Sequence, residues 1–114
     1  MRFLDKNNII HLFRAVGYAE FTKIIETRKF SLRPNGLEAK YFGMSFNETL
    51  DFANKVFNVH VAAIVEVIAD EKTVRAIGDF TMVDTTVFKS GTVEIDKENL
   101  EMFNNSIIEI KHVY

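Results

Sequence analysis

The sequence predicts a single α+β domain spanning residues 1–114, built on a bent or split, mostly antiparallel sheet with about three helices. Three observations carry this. Helix-period stretches lie near the front of the chain and short β-branched runs cluster behind them. Two short runs, His11-Leu12-Phe13-Arg14-Ala15-Val16 and Lys40-Tyr41-Phe42-Gly43-Met44-Ser45, each read as a strand feeding straight into a helix. A chain of 114 residues, 47% hydrophobic and 26% charged, can bury one core and not two.

The elements follow in order. Ile9 to Val16 is a short apolar run bounded by Asn7-Asn8 and Gly17, as a strand is. Tyr18 to about Lys29 has the helical period, with Tyr18, Phe21, Ile24 and Ile25 on one face and Glu20, Lys23 and Glu26 elsewhere. Phe30-Ser31-Leu32 is a candidate short strand, and Arg33-Pro34-Asn35-Gly36, with the only proline, is a loop. Ala39 to Met44 is the next strand. Ser45 has the character of a helix N-cap, and Glu48 completes a capping box. The helix it opens carries Phe46, Leu50, Ala53 and Phe57 as its core stripe.

Val59 to Ala69 is nearly unbroken in apolar residues, the mark of a central strand buried on both faces. Asp70 to Arg75 reads as a turn or short helix capped by Asp70. Phe80 to Val83 and Thr85 to Phe88 read as strand pieces about Asp84, and Thr92 to Ile95 as a strand after Gly91. Asp96 caps a helix running to about Asn104, and Ile107 to Tyr114 alternates as a terminal strand. No internal repeat or linker interrupts the chain.

Composition narrows the function. The formal net charge is -2 and the basic residues are scattered, so no basic run marks a nucleic-acid face. There is no cysteine, which removes disulfides, thiolate nucleophiles and thiolate metal sites. The polar start from Arg2 to Asn8 does not read as a signal peptide, and no run is long enough to span a membrane, so a cytoplasmic location is expected. Eleven phenylalanines and no tryptophan point to a phenylalanine-filled core.

Several residues carry chemistry in this pattern. Arg14, inside an apolar run, either clamps a phosphate bidentately or pairs with a carboxylate on a sheet face. Gly43 lets a ligand approach the backbone, the turn at Ser45 offers unpaired helix N–H groups, and Tyr41 or Phe42 can stack on a flat ring. Alternatively, these aromatics alternate in and out of a plain strand and Ser45 is only a cap. Glu94, just after Ser90-Gly91, can polarise a ribose hydroxyl or act as a base. Glu66, within the most apolar strand, must be paired or face a cleft, and Glu109 is a third acidic candidate. His11, His60 and His112 lack metal-ligand spacing, so no metal site is expected, although two of them meeting from distant strands would make an acid–base pair. No phosphate loop, dinucleotide fingerprint or nucleophile elbow is present.

The run Leu12-Phe13-Arg14-Ala15-Val16, the helix end Thr27-Arg28-Lys29-Phe30, and Gly36-Leu37-Glu38-Ala39-Lys40-Tyr41-Phe42-Gly43-Met44-Ser45 together resemble the amino-terminal half of small ADP-ribosyltransferase-like domains of the bacterial polymorphic and Rhs toxin type. Val87-Phe88-Lys89-Ser90-Gly91-Thr92-Val93 is similar to a further stretch of such domains. The resemblance implies an ADP-ribosyltransferase-like fold with NAD, as substrate, held between two halves of a split sheet. Carried over by position, Arg14 would contact the NAD phosphates or ribose. Tyr41 and Phe42 would pack beside the nicotinamide, Ser45 would support the same wall, and Glu94 would be the catalytic glutamate. The partners implied are NAD, a macromolecular target and an immunity protein. The chain departs from the family in lacking its serine-threonine-serine or histidine-tyrosine pattern, and the paired-glutamate motif around Glu94. Two other expectations stand beside this one: a binding module that keeps the fold without the chemistry, and a small ribonuclease-type toxin using His11 or His60.

Overall fold

Strand β1, Ile9–Val16, lies near the middle of the sheet because its alternating apolar residues find partners on both sides. In the computed structural model, which describes residues 8–31, 39–55, 61–80 and 87–114, β1 runs antiparallel to β2 (Lys40–Gly43) on one flank and to β3 (Ala63–Asp70) on the other. The outer strands are β4 (Thr92–Ile95), beside β2, and β5 (Ile107–His112), beside β3. The order is β4-β2-β1-β3-β5, every pairing is antiparallel, and the strands form one sheet. The fold is therefore α+β with an antiparallel sheet, as expected, and the described strands form one sheet without a split.

Helix α1 (Tyr18–Thr27) follows β1, α2 (Phe46–Lys55) follows β2, α3 (Glu71–Ile77) follows β3, and α4 (Leu100–Ser106) precedes β5. The described residues thus hold four α-helices, where about three were expected. Asp70 caps α3 by accepting from Thr73 N–H at 3.0 Å and from its hydroxyl at 2.7 Å, which favours a helix over the bare turn the sequence also allowed. Before α4 the chain makes a single 3₁₀ turn, Lys97–Asn99, so the segment after Asp96 divides in two. β3 has nearly every residue buried on both faces, as its unbroken apolar run predicts. None of the described helices is long and apolar enough to cross a membrane.

Residue alternation sorts the sheet into two faces. One face presents Leu12, Val16, Phe42, Val65, Val67, Val93, Ile95 and Ile110 to a core closed by Ile24 of α1, Val74 of α3 and Leu100 and Phe103 of α4. At its centre Phe30, Phe42 and Phe103 meet, with ring centroids 5.2 Å (Phe30–Phe42), 5.0 Å (Phe42–Phe103) and 6.0 Å (Phe30–Phe103) apart. These are tilted and edge-on contacts of the favourable kind. The other face carries His11, Phe13, Tyr41, Gly43, Glu66, Thr92 and Glu94, and α2 packs over part of it, with Phe46 edge-on to Phe13 at 6.1 Å.

Local differences from the expected elements have clear causes. Tyr18 and Ile25 of α1 are exposed while Ile24 is buried, so the core-facing stripe is narrower than the apolar pattern suggests. α1 stops at Arg28, which takes the left-handed conformation at φ 58° and donates its N–H to the Ile24 carbonyl. Phe30 and Ser31 are not a strand: the Phe30 N–H donates to Asn104 Oδ1 and the Phe30 carbonyl accepts from Asn104 Nδ2, both at 2.8 Å. One side-chain amide thus replaces a strand partner across 74 residues of sequence. Asn104→Ala leaves both backbone groups of Phe30 unpaired beside the core and is expected to cost about 2–3 kcal/mol in urea unfolding. The proline loop, Phe57, His60 and most of the two strand pieces around Asp84 lie outside the described residues.

Candidate functional site

Arg14 sits on the core face of β1, opposite Val65. Its guanidinium grips the carboxylate of Glu20 in a fork, Nε to Oε2 at 2.8 Å and Nη2 to Oε1 at 3.1 Å. Nη1 donates to the Tyr41 carbonyl at 2.9 Å, and the group lies 5.9 Å from the centroid of the Phe42 ring. Glu20 occupies the first turn of α1, where the helix dipole favours an anion, and Lys40 Nζ approaches it at 3.4 Å. Burial pushes the Glu20 carboxyl upward, but the Arg14 hydrogen bonds and charge, aided by Lys40, outweigh it and hold the carboxyl below its ordinary range. Arg14 therefore binds β1, α1 and β2 together, the ion-pair alternative its sequence context allowed.

A carboxylate whose folded pKa is depressed stabilises the fold above its unfolded pKa, and that stability is lost as pH falls through the folded value. Glu20 is thus expected to contribute to stability at neutral pH and to release that contribution in acid, below about pH 4.5. Glu20→Gln should lower neutral-pH stability by about 1–3 kcal/mol and flatten this part of the acid limb, as read by thermal melts across pH.

Tyr41 and Glu94 stand directly opposite each other on β2 and β4, on the face away from the phenylalanine core. Tyr41 is 45% exposed. Glu94 is held on both sides. β4 pairs with β2, and the Glu94 N–H and carbonyl exchange two 2.9 Å hydrogen bonds with Asp79. Desolvation, then the nearby Asp96 and Asp79 carboxylates, raises the Glu94 pKa above the ordinary range. The next pair on the same face is Gly43 opposite Thr92. A Cβ at Gly43 would lie 2.5 Å from Thr49 Oγ1 and 3.0 Å from the Phe88 ring, so glycine is what lets α2 sit down on β2.

Ser45 opens α2. Its hydroxyl accepts from the Glu48 N–H at 3.3 Å, as an N-cap should, while its carbonyl accepts from the Thr49 hydroxyl. The capping box is only half made, because Glu48 turns to Ser90. Its carboxylate accepts from the Ser90 N–H at 3.0 and 3.1 Å and from the Ser90 hydroxyl at 2.7 Å. This fixes the turn before β4, where Gly91 takes φ 96°. Beside it is an open cleft of about 350 Å³, whose lining includes Met44, Phe80, Arg75, Lys89, Ser90 and Thr92. The cleft thus holds two cationic side chains, Lys89 and Arg75. Arg75 is paired with Glu71 at 2.7 Å and lies 5.0 Å from the Phe80 ring centroid. Thr92 belongs both to this cleft and to the Tyr41–Glu94 face.

The five residues expected at one site divide between the two sides of the sheet. Tyr41 and Glu94 come together, and Ser45 begins the helix packed on the same face. Arg14 and Phe42 are on the opposite face, and Phe42 is only 1% exposed. The cause is strand parity: neighbouring residues of one strand point to opposite faces, so Tyr41 and Phe42 cannot both face one ligand. Glu66 is paired rather than open, with His11 Nδ1 2.7 Å from its Oε2. Glu109 is exposed on the edge strand. His112 faces the core side and packs at a tilt against Phe21, ring centroids 4.8 Å apart, so it does not meet His11. No group of three or more metal-ligating side chains occurs among the described residues.

Sequence reasoning missed Glu20, Asp79, Arg75 and Lys89. Glu20 was legible in principle, because the first turn after a one-residue junction returns beside the strand it left. Asp79 and the two cations arrive through chain reversals that no local pattern marks. No family model matches the chain, and no curated protein or solved structure matches it.

Proposed function

We propose that the chain is an ADP-ribosyltransferase-like domain that takes NAD against the Tyr41–Glu94 face. The observation that carries this is the direct pairing of a half-exposed tyrosine with a carboxyl of raised pKa on the face of the sheet away from the phenylalanine core. The resemblance in the first half of the chain and around Lys89-Ser90-Gly91 supports the same reading. NAD supplies a glycosidic bond whose leaving group is nicotinamide. The residues present fit it in three ways. The Tyr41 ring offers a flat apolar surface to the nicotinamide. The Glu94 carboxylate places negative charge where positive charge develops on the ribose. Lys89, in the cleft that Thr92 also lines, suits the phosphates, and Arg75 of the same cleft would have to exchange its Glu71 partner for them. Arg14 then acts as a positioning residue, holding the Tyr41 backbone through its carbonyl, and Phe42 belongs to the core.

Calorimetric titration with NAD tests this. The wild type is expected to bind in the ~1 μM–1 mM range usual for enzyme substrates. Tyr41→Ala should weaken binding about tenfold while lowering the thermal melt only modestly, since nearly half of the residue is exposed. Absence of heat at millimolar NAD contradicts the reading. Binding without nicotinamide release identifies a module that keeps the site and lacks the chemistry.

A further inference from the structure

We propose that the outer edge of β5, which no described strand covers, pairs with the same edge of a second copy of this chain, joining two five-stranded sheets into one. β5 ends the strand order on its side. Ile64 of β3 exchanges hydrogen bonds with residues 113 and 114. Alternation therefore turns Glu66 and Ile68 toward β5, and leaves Ile110, opposite Val67, with its own N–H and carbonyl pointing outward. Arg28 reports the same direction: from the end of α1 its Nη1 donates to the Ile110 carbonyl over a long 3.3 Å. A groove of about 410 Å³ runs along this edge, lined in part by Thr27, Lys29, Asn104 and Ile108. An exposed strand edge with outward-facing amides is a template for another strand.

Charge selects the second copy. Glu109 and Lys111 flank Ile110, both exposed on the face away from the core, and neither forms an ion pair among the described residues. Antiparallel pairing centred on Ile110 makes the two Ile110 residues a hydrogen-bonded pair. Glu109 then falls opposite Lys111 of the other copy and Lys111 opposite its Glu109, two ion pairs generated by one two-fold axis. Ile108, 45% exposed in the single chain, falls opposite His112. A uniformly acidic or basic strand would satisfy only one of these charges, whereas the same strand run in reverse satisfies both. Arg28 leaves the Ile110 carbonyl as the strands meet and remains in solvent at the rim.

Sedimentation of the full chain from low to high micromolar concentration tests this. The expected result is a concentration-dependent dimer. Lys111→Glu, which sets like charges opposite each other, should weaken it about tenfold, and the swap Glu109→Lys with Lys111→Glu should restore it to within about twofold. Both positions are solvent-facing, so circular dichroism should show unchanged folds. Hydrogen exchange of the Ile110 amide should slow as wild-type concentration rises. A monomer at every concentration, a dimer indifferent to Lys111→Glu, a swap that fails to restore it, or an Ile110 amide indifferent to concentration would each overturn the proposal.

Discussion

Phe42→Ala is expected to remove about 3–5 kcal/mol of unfolding free energy. The ring is 1% exposed and touches both Phe30 and Phe103 at centroid distances of 5.2 and 5.0 Å. Its loss therefore combines the lost transfer free energy of a phenyl group, a cavity at the junction of β2 with α4, and two aromatic contacts. A domain of this size is stable by only about 5–15 kcal/mol, so the variant should be substantially unfolded at 37 °C or in mild urea. Phe42→Leu should retain most of the stability, because it keeps the site filled with an apolar chain. Urea titrations of the two variants separate a core role from a ligand-stacking role, since stacking on an open surface would leave Phe42→Ala stable.

Glu94→Gln carries the largest expected effect on activity. On the proposed chemistry, in which its charge stabilises the transition state, the substitution should lower nicotinamide release by about 10²–10³-fold. The fold should respond in the opposite sense. A carboxyl whose pKa is raised on folding disfavours its own ionised form there, so it opposes folding above its unfolded pKa and ceases to do so as pH falls through the folded value. Neutralising Glu94 relieves its repulsion with Asp96 and Asp79, and the variant should melt no lower than the wild type at neutral pH, with a modest rise expected. Loss of activity with retained or increased stability is the signature of a group kept for chemistry. The wild-type rate should also fall with decreasing pH through an acid limb above the ordinary glutamate range, because the proposed chemistry uses the ionised form. Glu94→Gln should remove that limb from whatever rate remains.

Much of the architecture was legible in the chain. The helical period located α1 and α2, short or unbroken apolar runs located β1 and β3, and alternation located β5, since each depends on residues close in sequence. Asp70 and Ser45 were recognisable as helix starts because a short acceptor before a helical pattern has few other uses. Long-range choices were not legible. Asn104 taking the place of a strand partner for Phe30, and Glu48 leaving its capping box for Ser90, depend on residues brought together only by folding. At the candidate site, Tyr41 and Glu94 were found because each occupies a strand beside a helix or turn junction. For Arg14 the sequence leaves a phosphate clamp and a carboxylate pair both open, because it offers no distance to Glu20; strand parity and that ion pair place it in the frame of the protein.

The central claim is that NAD meets the face bearing Tyr41 and Glu94. Amide chemical shifts of the ¹⁵N-labelled chain, followed as NAD is added, test it most directly. The account requires the largest changes at Tyr41, Thr92 and Glu94, with Lys89 and Ser90 next and the amides of Phe30 and Phe103 undisturbed. Shifts gathered instead around Arg14, Phe42 and the phenylalanine core, or no shifts at millimolar NAD, would contradict it.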